Sequence, residues 1–212
     1  MLIDTSESVR SQWNARAGIQ DFIRFFISQL TFGPNSVYLT AQSFADVTFV
    51  NWNLDTYQNR SSLVAQVSDI LFRGTQETDY ADALDAAITT QFGPGTGDRP
   101  NVPNYIIILT DGAASYDRSI VLNAVRKAES AGFTIFAIGY GPADRNVLTD
   151  LTGGNSDQVF HTQDYQDLVR MIETIVHLVC DQAIPPSPVT PGPTPQTPFG
   201  QFDFLPSFCV VT

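Results

Sequence analysis

Residues 105–109 read Tyr-Ile-Ile-Ile-Leu, an apolar run with no polar alternation. A strand with one wet face alternates apolar and polar residues, so an unbroken run of this kind belongs to a parallel strand covered on both faces. Three more β-rich runs, Val37–Phe44, Val47–Trp52 and Phe133–Ile138, share the chain with helical patterns at Val9–Leu30, Ser61–Leu71, Asp79–Phe92, Arg118–Ala131 and Tyr165–Val179. In the first pattern Ile19, Ile23, Phe26 and Leu30 fall on one helix face, and Phe22 and Phe25 widen it, so that helix is expected to be covered on more than one side. Strands interleaved with helices predict an α/β fold: a doubly wound, mostly parallel sheet with helices on both faces, a Rossmann-like three-layer sandwich.

The chain has 212 residues, with 22 acidic against 11 basic side chains and a formal net charge of −11. A surface that negative repels phosphate backbones and anionic headgroups, which argues against nucleic acid or membrane surfaces as partners. No apolar run approaches the roughly 20 residues needed to cross a bilayer. Only Met1, Leu2 and Ile3 precede Asp4, where a typical strand has about 5–6 residues. The first strand is therefore expected to be cut short, and the lack of a leader is no argument for the cytosol. Residues 1–182 read as one domain, 183–200 as a Pro-rich linker and 201–212 as a short apolar tail too small to fold alone.

The first apolar run ends in Asp4-Thr5-Ser6-Glu7-Ser8. In open α/β sheets ligands sit beyond the carboxyl ends of the strands, where the strand order reverses. A carboxylate and two hydroxyls at alternate positions there offer oxygen ligands to a hard cation such as Mg²⁺ without saturating its charge. Taken alone, the same residues describe a polar turn with Ser8 as a helix cap. Two other segments add to the pattern. Asp111 follows the apolar strand directly before Gly112, and Thr78 stands at the start of a helical pattern.

These segments resemble the von Willebrand factor type A domain family from Met1 to about Cys180. "DTSES" is similar to its Asp-x-Ser-x-Ser element, "TDYADAL" to its threonine segment and "ILTDG" to its second aspartate. "FAIGYGPADRNVLTDLTGG" is similar to its fifth strand and following loop, and "DYQDLVRMIETIVHLVC" to its closing helix. The resemblance implies a metal-ion-dependent adhesion site holding Mg²⁺, with Mn²⁺ or Ca²⁺ as alternatives. Ser6 and Ser8 would ligate directly, Thr78 directly or through water, and Asp4 and Asp111 mainly through water. A carboxylate from an extracellular protein partner would complete the shell. Tyr80 stands where family members often carry a second threonine, which alters the rim, and Glu7 and Asp79 add negative charge there.

The cysteines are Cys180 and Cys209. The resemblance implies that Cys180 pairs upstream of the first strand in secreted members, and a Cys180–Cys209 bridge is the alternative. Asn59-Arg60-Ser61 fits an N-glycosylation sequon and points, with the resemblance, to an extracellular location. His161 and His177 read as structural or solvated, and Trp13 and Trp52 as core. "GPGTG" at 93–97 lacks the lysine and helix of a phosphate loop. Tyr140 and Asp144 read as a plain surface loop that could rim the ligand face. Three functions follow: a Mg²⁺-dependent protein-binding module, a structural matrix domain that leaves the metal site unused, and a phosphotransfer enzyme with Asp4 as nucleophile. The enzyme is disfavoured, because Ser6 replaces a second acid and the single lysine, Lys127, lies mid-helix.

Overall fold

The computed structural model describes residues 1–13, 18–113, 116–162 and 165–181. The Pro-rich segment, the apolar tail and Cys209 lie outside the described residues, as does the side chain of Cys180. In chain order the elements are β1 (Leu2–Asp4), α1 (Arg10–Trp13), α2 (Ile19–Gln29), β2 (Ala41–Phe44), β3 (Thr48–Trp52), α3 (Arg60–Gln66) and α4 (Tyr80–Ala86). There follow β4 (Asn104–Thr110), α5 (Arg118–Ser130), β5 (Phe133–Tyr140), α6 (Arg145–Leu151), β6 (Val159–Thr162) and α7 (Tyr165–Asp181).

The six strands form one sheet in the order β3-β2-β1-β4-β5-β6. Every pairing is parallel except β2 with β3, which run antiparallel at one edge. Strand β1 sits between β2 and β4, so the chain winds outward in one direction from it and later returns to its other side. That is the topological switch point, where loops from neighbouring strands diverge and leave a crevice.

Alternation along the strands builds two cores. Ile3, Ile107, Leu109, Phe136 and Ile138 point to one face and pack with Ile19, Phe22, Ile23, Phe26 and Ile27 of α2 and with Ile172 and Ile175 of α7. Leu2, Ile106, Ile108, Ile135 and Ala137 point to the other, against Leu84 of α4, Val125 of α5 and Leu148 of α6. Ile106–Leu109 are at most 6% exposed, so the unbroken apolar run does fill a strand covered on both sides. Trp13 and Trp52 are buried, as expected of core residues.

Several boundaries differ from the sequence expectation. The single helix expected over Val9–Leu30 is two, α1 and α2; Gly18 takes an extended conformation (φ −85°, ψ −165°) at the start of α2. The Val37–Phe44 run is a strand only from Ala41, with Val37 limited to one bridge to Phe32. Helix α4 gives way after Ala86 to a wider turn over Ala87–Gln91. The segment read as the fifth strand and a loop contains a further helix, α6, which buries Val147, Leu148 and Leu151. Tyr140 is not a loop residue: it ends β5, is 4% exposed and meets Phe22 edge-on at 5.8 Å. Asp144 is exposed, and its carboxylate caps α6 by accepting from the Asn146 amide.

Candidate metal centre

Beyond the carboxyl end of β1 the chain turns sharply, and each hydrogen bond of that turn has a local cause. Asp4 Oδ1 accepts from the Ser6 amide at 2.9 Å, a short side-chain-to-backbone closure that aspartate favours in turns. Thr5 is fully buried and donates both its amide and its hydroxyl to the Phe44 carbonyl at the end of β2. The Glu7 amide donates to the Thr75 carbonyl, and the Gly74 amide to the Thr5 carbonyl. The turn is thus held by β2 on one side and by the 74–75 loop on the other.

Asp111 arrives at the same place from β4. Ser8 Oγ donates to Asp111 Oδ1 at 3.0 Å, and Ser6 and Ser8 hydroxyls lie 3.1 Å apart. Because the single proton of Ser8 is committed to Asp111, Ser6 is the donor of that pair. Asp111 Oδ1 also accepts from the Ala113 amide. Gly112 turns the chain here at φ +64°, a conformation open to glycine, and a Cβ on it would stand 3.2 Å from the Asp144 carbonyl oxygen. Asp4, Ser6 and Ser8 therefore present a linked set of side-chain oxygens at the switch point with Asp111, which lies 103 positions beyond Ser8 along the chain.

The spacing of those oxygens bears on what they can hold. Ligands at about 2.0–2.1 Å in octahedral geometry place neighbouring oxygens roughly 2.9–3.0 Å apart. The observed Ser6–Ser8 and Ser8–Asp111 separations, 3.1 and 3.0 Å, match that edge length. The set grades from buried to open: Asp4 is 1% exposed, Ser6 2% and Asp111 5%, while Ser8 is exposed. Among the described residues no group of three or more His, Cys, Asp or Glu side chains converges on a point. The donor set here is two carboxylates with hydroxyls, which suits a hard cation rather than a transition metal seeking imidazole or thiolate.

Burial pushes the Asp4 carboxyl up to about 6, against the hydrogen bonds from Ser6 and Thr110 that favour its anion; the nearby charge of Asp111 adds to the rise. Among the described residues no basic side chain is bonded to either carboxylate, and two carboxylates so placed make a site that gains from a cation.

Thr110, which the sequence reading did not single out, and Tyr80, which it set at the rim, complete the support. Thr110 Oγ1 donates to Asp4 Oδ2 at 2.6 Å and accepts from the Gly112 amide at 3.0 Å. Its proton being spent, the Tyr80 hydroxyl 3.1 Å away must donate to it. Tyr80 is 2% exposed and lies edge-on to Phe44 and Tyr116, so it is a buried strut under the site and not part of its rim. The signal for Thr110 is its place: a hydroxyl at the last position of a strand whose neighbour on the sheet ends in a carboxylate.

Thr78 is 7% exposed, and among the described residues its hydroxyl makes no hydrogen bond. It does not join the hydrogen-bonded set, but both its flanks are tied to that set's supports. Asp79 donates its amide to the carbonyl of Ala45, the residue after Phe44, and Tyr80 reaches Thr110. Glu7 is held in a two-pronged ion pair by Arg10 at 2.6 and 2.7 Å, and Asp79 caps α4 through the Asp82 amide. His161 bonds the Gly141 carbonyl and His177 is exposed.

The sequence matches the von Willebrand factor type A domain family over residues 1–174. The chain belongs to that family. Among curated relatives, Matrilin-1 of Gallus gallus is 30% identical over 181 residues, which span 83% of this chain and 34% of that protein. The Collagen alpha-6(VI) chain of Homo sapiens is 24% identical over 179 residues, 84% of this chain and 8% of that protein. The chain thus spans well under half the length of these relatives. Proximal thread matrix protein 1 from the mussel byssus, in a structure described as having a zinc occupied MIDAS motif, superposes with a TM-score of 0.74 at 18% identity, covering 84% of this chain and 46% of that one. Manganese-loaded TRAP protein of Plasmodium vivax superposes with a TM-score of 0.63 at 18% identity, covering 81% and 69%. As a von Willebrand factor A domain, the chain shares its fold with structures that carry metal and its family with proteins of the extracellular matrix.

Proposed function

We propose that this domain is a non-enzymatic, extracellular protein-binding module that works through a divalent cation, Mg²⁺ in the first instance with Mn²⁺ or Ca²⁺ as substitutes. Ser6, Ser8 and Thr78 offer it hydroxyl oxygens, and Asp4 and Asp111 carry the balancing charge. When bound, the cation supplies an electrophilic centre for a carboxylate of the partner. The protein's own part is to hold the ligand oxygens at octahedral spacing, to keep Asp4 anchored through Thr110 and Tyr80, and to leave Ser8 open to solvent. The observation that carries the reading is the pair of short contacts linking Ser6, Ser8 and Asp111, in the turn that the buried Asp4 closes by accepting from the Ser6 amide. Thr78, a buried residue whose hydroxyl has no hydrogen-bond partner among the described residues, is included on that ground.

Calorimetric titration of Mg²⁺ into the chelator-stripped chain tests this. One-site binding is expected, abolished in Asp4→Ala and weakened in Thr78→Ala, with the circular dichroism of both variants unchanged. Binding equal in all three chains, or none in the parent, overturns the cation site. Capture of matrix proteins that survives EDTA would favour a structural domain instead. Phosphotransfer has little support: Lys127 is paired with Asp85 on the surface at 2.8 Å, leaving no lysine for a phosphate. Asn59 is exposed and caps α3 through its Oδ1, so its Nδ2 stays free for a glycan in a secretory host.

A further inference from the structure

At the end of the sheet opposite the metal centre, where β1 and β4 begin, lies a cavity of about 100 Å³. Met1, Leu39 and Tyr105 wall it on the sheet side, and Phe26 and Leu30, at the end of α2, on the helix side. Its exposed lining residues, Asp98 and Pro103, mark the mouth. A mostly apolar hollow of that size has room for one phenyl or isobutyl group. Two polar groups of the lining are incompletely used. The Tyr105 hydroxyl oxygen is buried with no hydrogen-bond partner among the described residues. Arg99, next to Asp98, donates to the Pro34 and Ser36 carbonyls and lies over the Tyr38 ring at 4.2 Å, but among the described residues it meets no carboxylate.

The course of the chain brings one occupant to this end. Helix α7 begins beyond the carboxyl end of β6 and packs into the same core as α2. Its 17 residues, at about 1.5 Å each, carry it about 25 Å back along that face. The eight residues of β5, at about 3.3 Å each, cover a similar distance, so the chain leaves Asp181 at the end where the cavity lies. From there residues 183–200, at about 3.1 Å each when extended, can span about 55 Å, more than twice the length of α7. Beyond them, residues 201–212 hold Phe202, Phe204, Leu205 and Phe208, and their one charged side chain is Asp203.

We infer that the cavity seats this tail of the same chain: a phenyl group of Phe202 or Phe204 enters it, and Asp203 between them meets Arg99 at the mouth. Burying one ring is a weak hold on a free partner. For a side chain tethered through a linker of this length the effective concentration is on the order of millimolar, so the same insertion becomes populated. Docked there, the tail lies at the far end of the sheet and leaves the metal centre clear.

Amide NMR spectra of the full chain and of a Phe202→Ser/Phe204→Ser chain, both in reducing buffer, test this. The two substitutions fall outside both cores, so the two chains are expected to give the dispersed spectrum of one fold. Outside the tail, the signals that move should be the amides of residues 37–39, 99, 102 and 104–105, together with the indole of Trp52, whose Nε1 donates to the Leu39 carbonyl at 2.9 Å. The Trp13 indole, packed on Phe72, should stay in place. Hydrogen exchange at residues 37–39 should be several-fold faster in the double variant, and tenfold dilution should leave every difference unchanged. Domain signals that coincide in the two chains, or that differ only away from the cavity, overturn the inference. So do differences that fade on dilution, which would assign the inserted tail to a second copy.

Discussion

Substituting Asp4 by asparagine separates the stability of this domain from its proposed chemistry, because the two should move in opposite directions. In the folded, metal-free chain burial raises the Asp4 carboxyl from 3.8 to about 6. Below the lower value the carboxyl is protonated in both folded and unfolded chains and its burial is tolerated. As pH rises through this window the unfolded chain sheds its proton first, so stability falls, and above about 6 the full penalty is in place. A shift of roughly two pH units corresponds to about 3 kcal/mol, at about 1.36 kcal/mol per unit. Asparagine keeps the acceptor for the Ser6 amide and does not titrate. Carboxylates remote from Asp4 are untouched by the substitution, so the stability of Asp4→Asn minus that of the parent should rise by about 2.4 kcal/mol between pH 4 and 7. Urea unfolding in EDTA across that range measures it, and any constant cost of the altered contact with Thr110 cancels from the pH trend. In saturating Mg²⁺ near pH 7.5 the gap should narrow: the parent gains about 2.7 kcal/mol at a hundredfold excess over Kd, and the variant gains nothing. A difference that stays flat with pH, or equal stabilisation of both chains by Mg²⁺, refutes the reasoning.

Three other outcomes follow from the same contacts. Thr110→Val leaves Asp4 Oδ2, the Gly112 amide and the Tyr80 hydroxyl without their partner, and should cost about 2–4 kcal/mol in urea unfolding while weakening Mg²⁺ binding in calorimetry. Tyr80→Phe removes only the outermost of those bonds and should cost about 1 kcal/mol with the Mg²⁺ affinity nearly unchanged. Gly112→Ala adds a Cβ at positive φ against the Asp144 carbonyl; it should cost about 1–2 kcal/mol and lower Mg²⁺ affinity by displacing Asp111.

The sheet was legible because its central strand declares itself. Nothing but two-sided cover explains Ile106, Ile107 and Ile108 in succession, and the 4-3-4 spacing of α2 is the pattern of a helix laid on such a sheet. What escaped was short. Helix α6 has seven residues and β6 has four, lengths over which periodicity hardly repeats before the element ends. Tyr140 was misread because "GYGPADR" looks like a turn; the turn begins one residue later, at Gly141, which takes φ +60°. The site divides in the same way. Asp4, Ser6, Ser8 and Asp111 stand in recognisable local patterns, whereas the roles of Thr110 and Tyr80 exist only through parallel strands and a helix meeting in space. Glu7 and Asp79, which as bare letters add charge to the rim, prove to be tied up by Arg10 and by the start of α4.

The arrangement beneath the site explains why so polar a cluster persists at the heart of the sheet. Asp4 is nearly fully buried, and the hydrogen bonds from Ser6 and Thr110 only partly offset its desolvation. An apolar residue there would make a more stable sandwich, since Asp4 lies directly after Leu2 and Ile3 and next to the close-packed Phe44. The surrounding structure resists collapse instead. Thr5 is bonded twice to Phe44, Thr110 is saturated by three partners, and Tyr80 is clamped between two aromatic rings. A rigid cradle around a poorly neutralised carboxylate is what a cation site needs before its cation arrives, because the ligands then lose little freedom on binding.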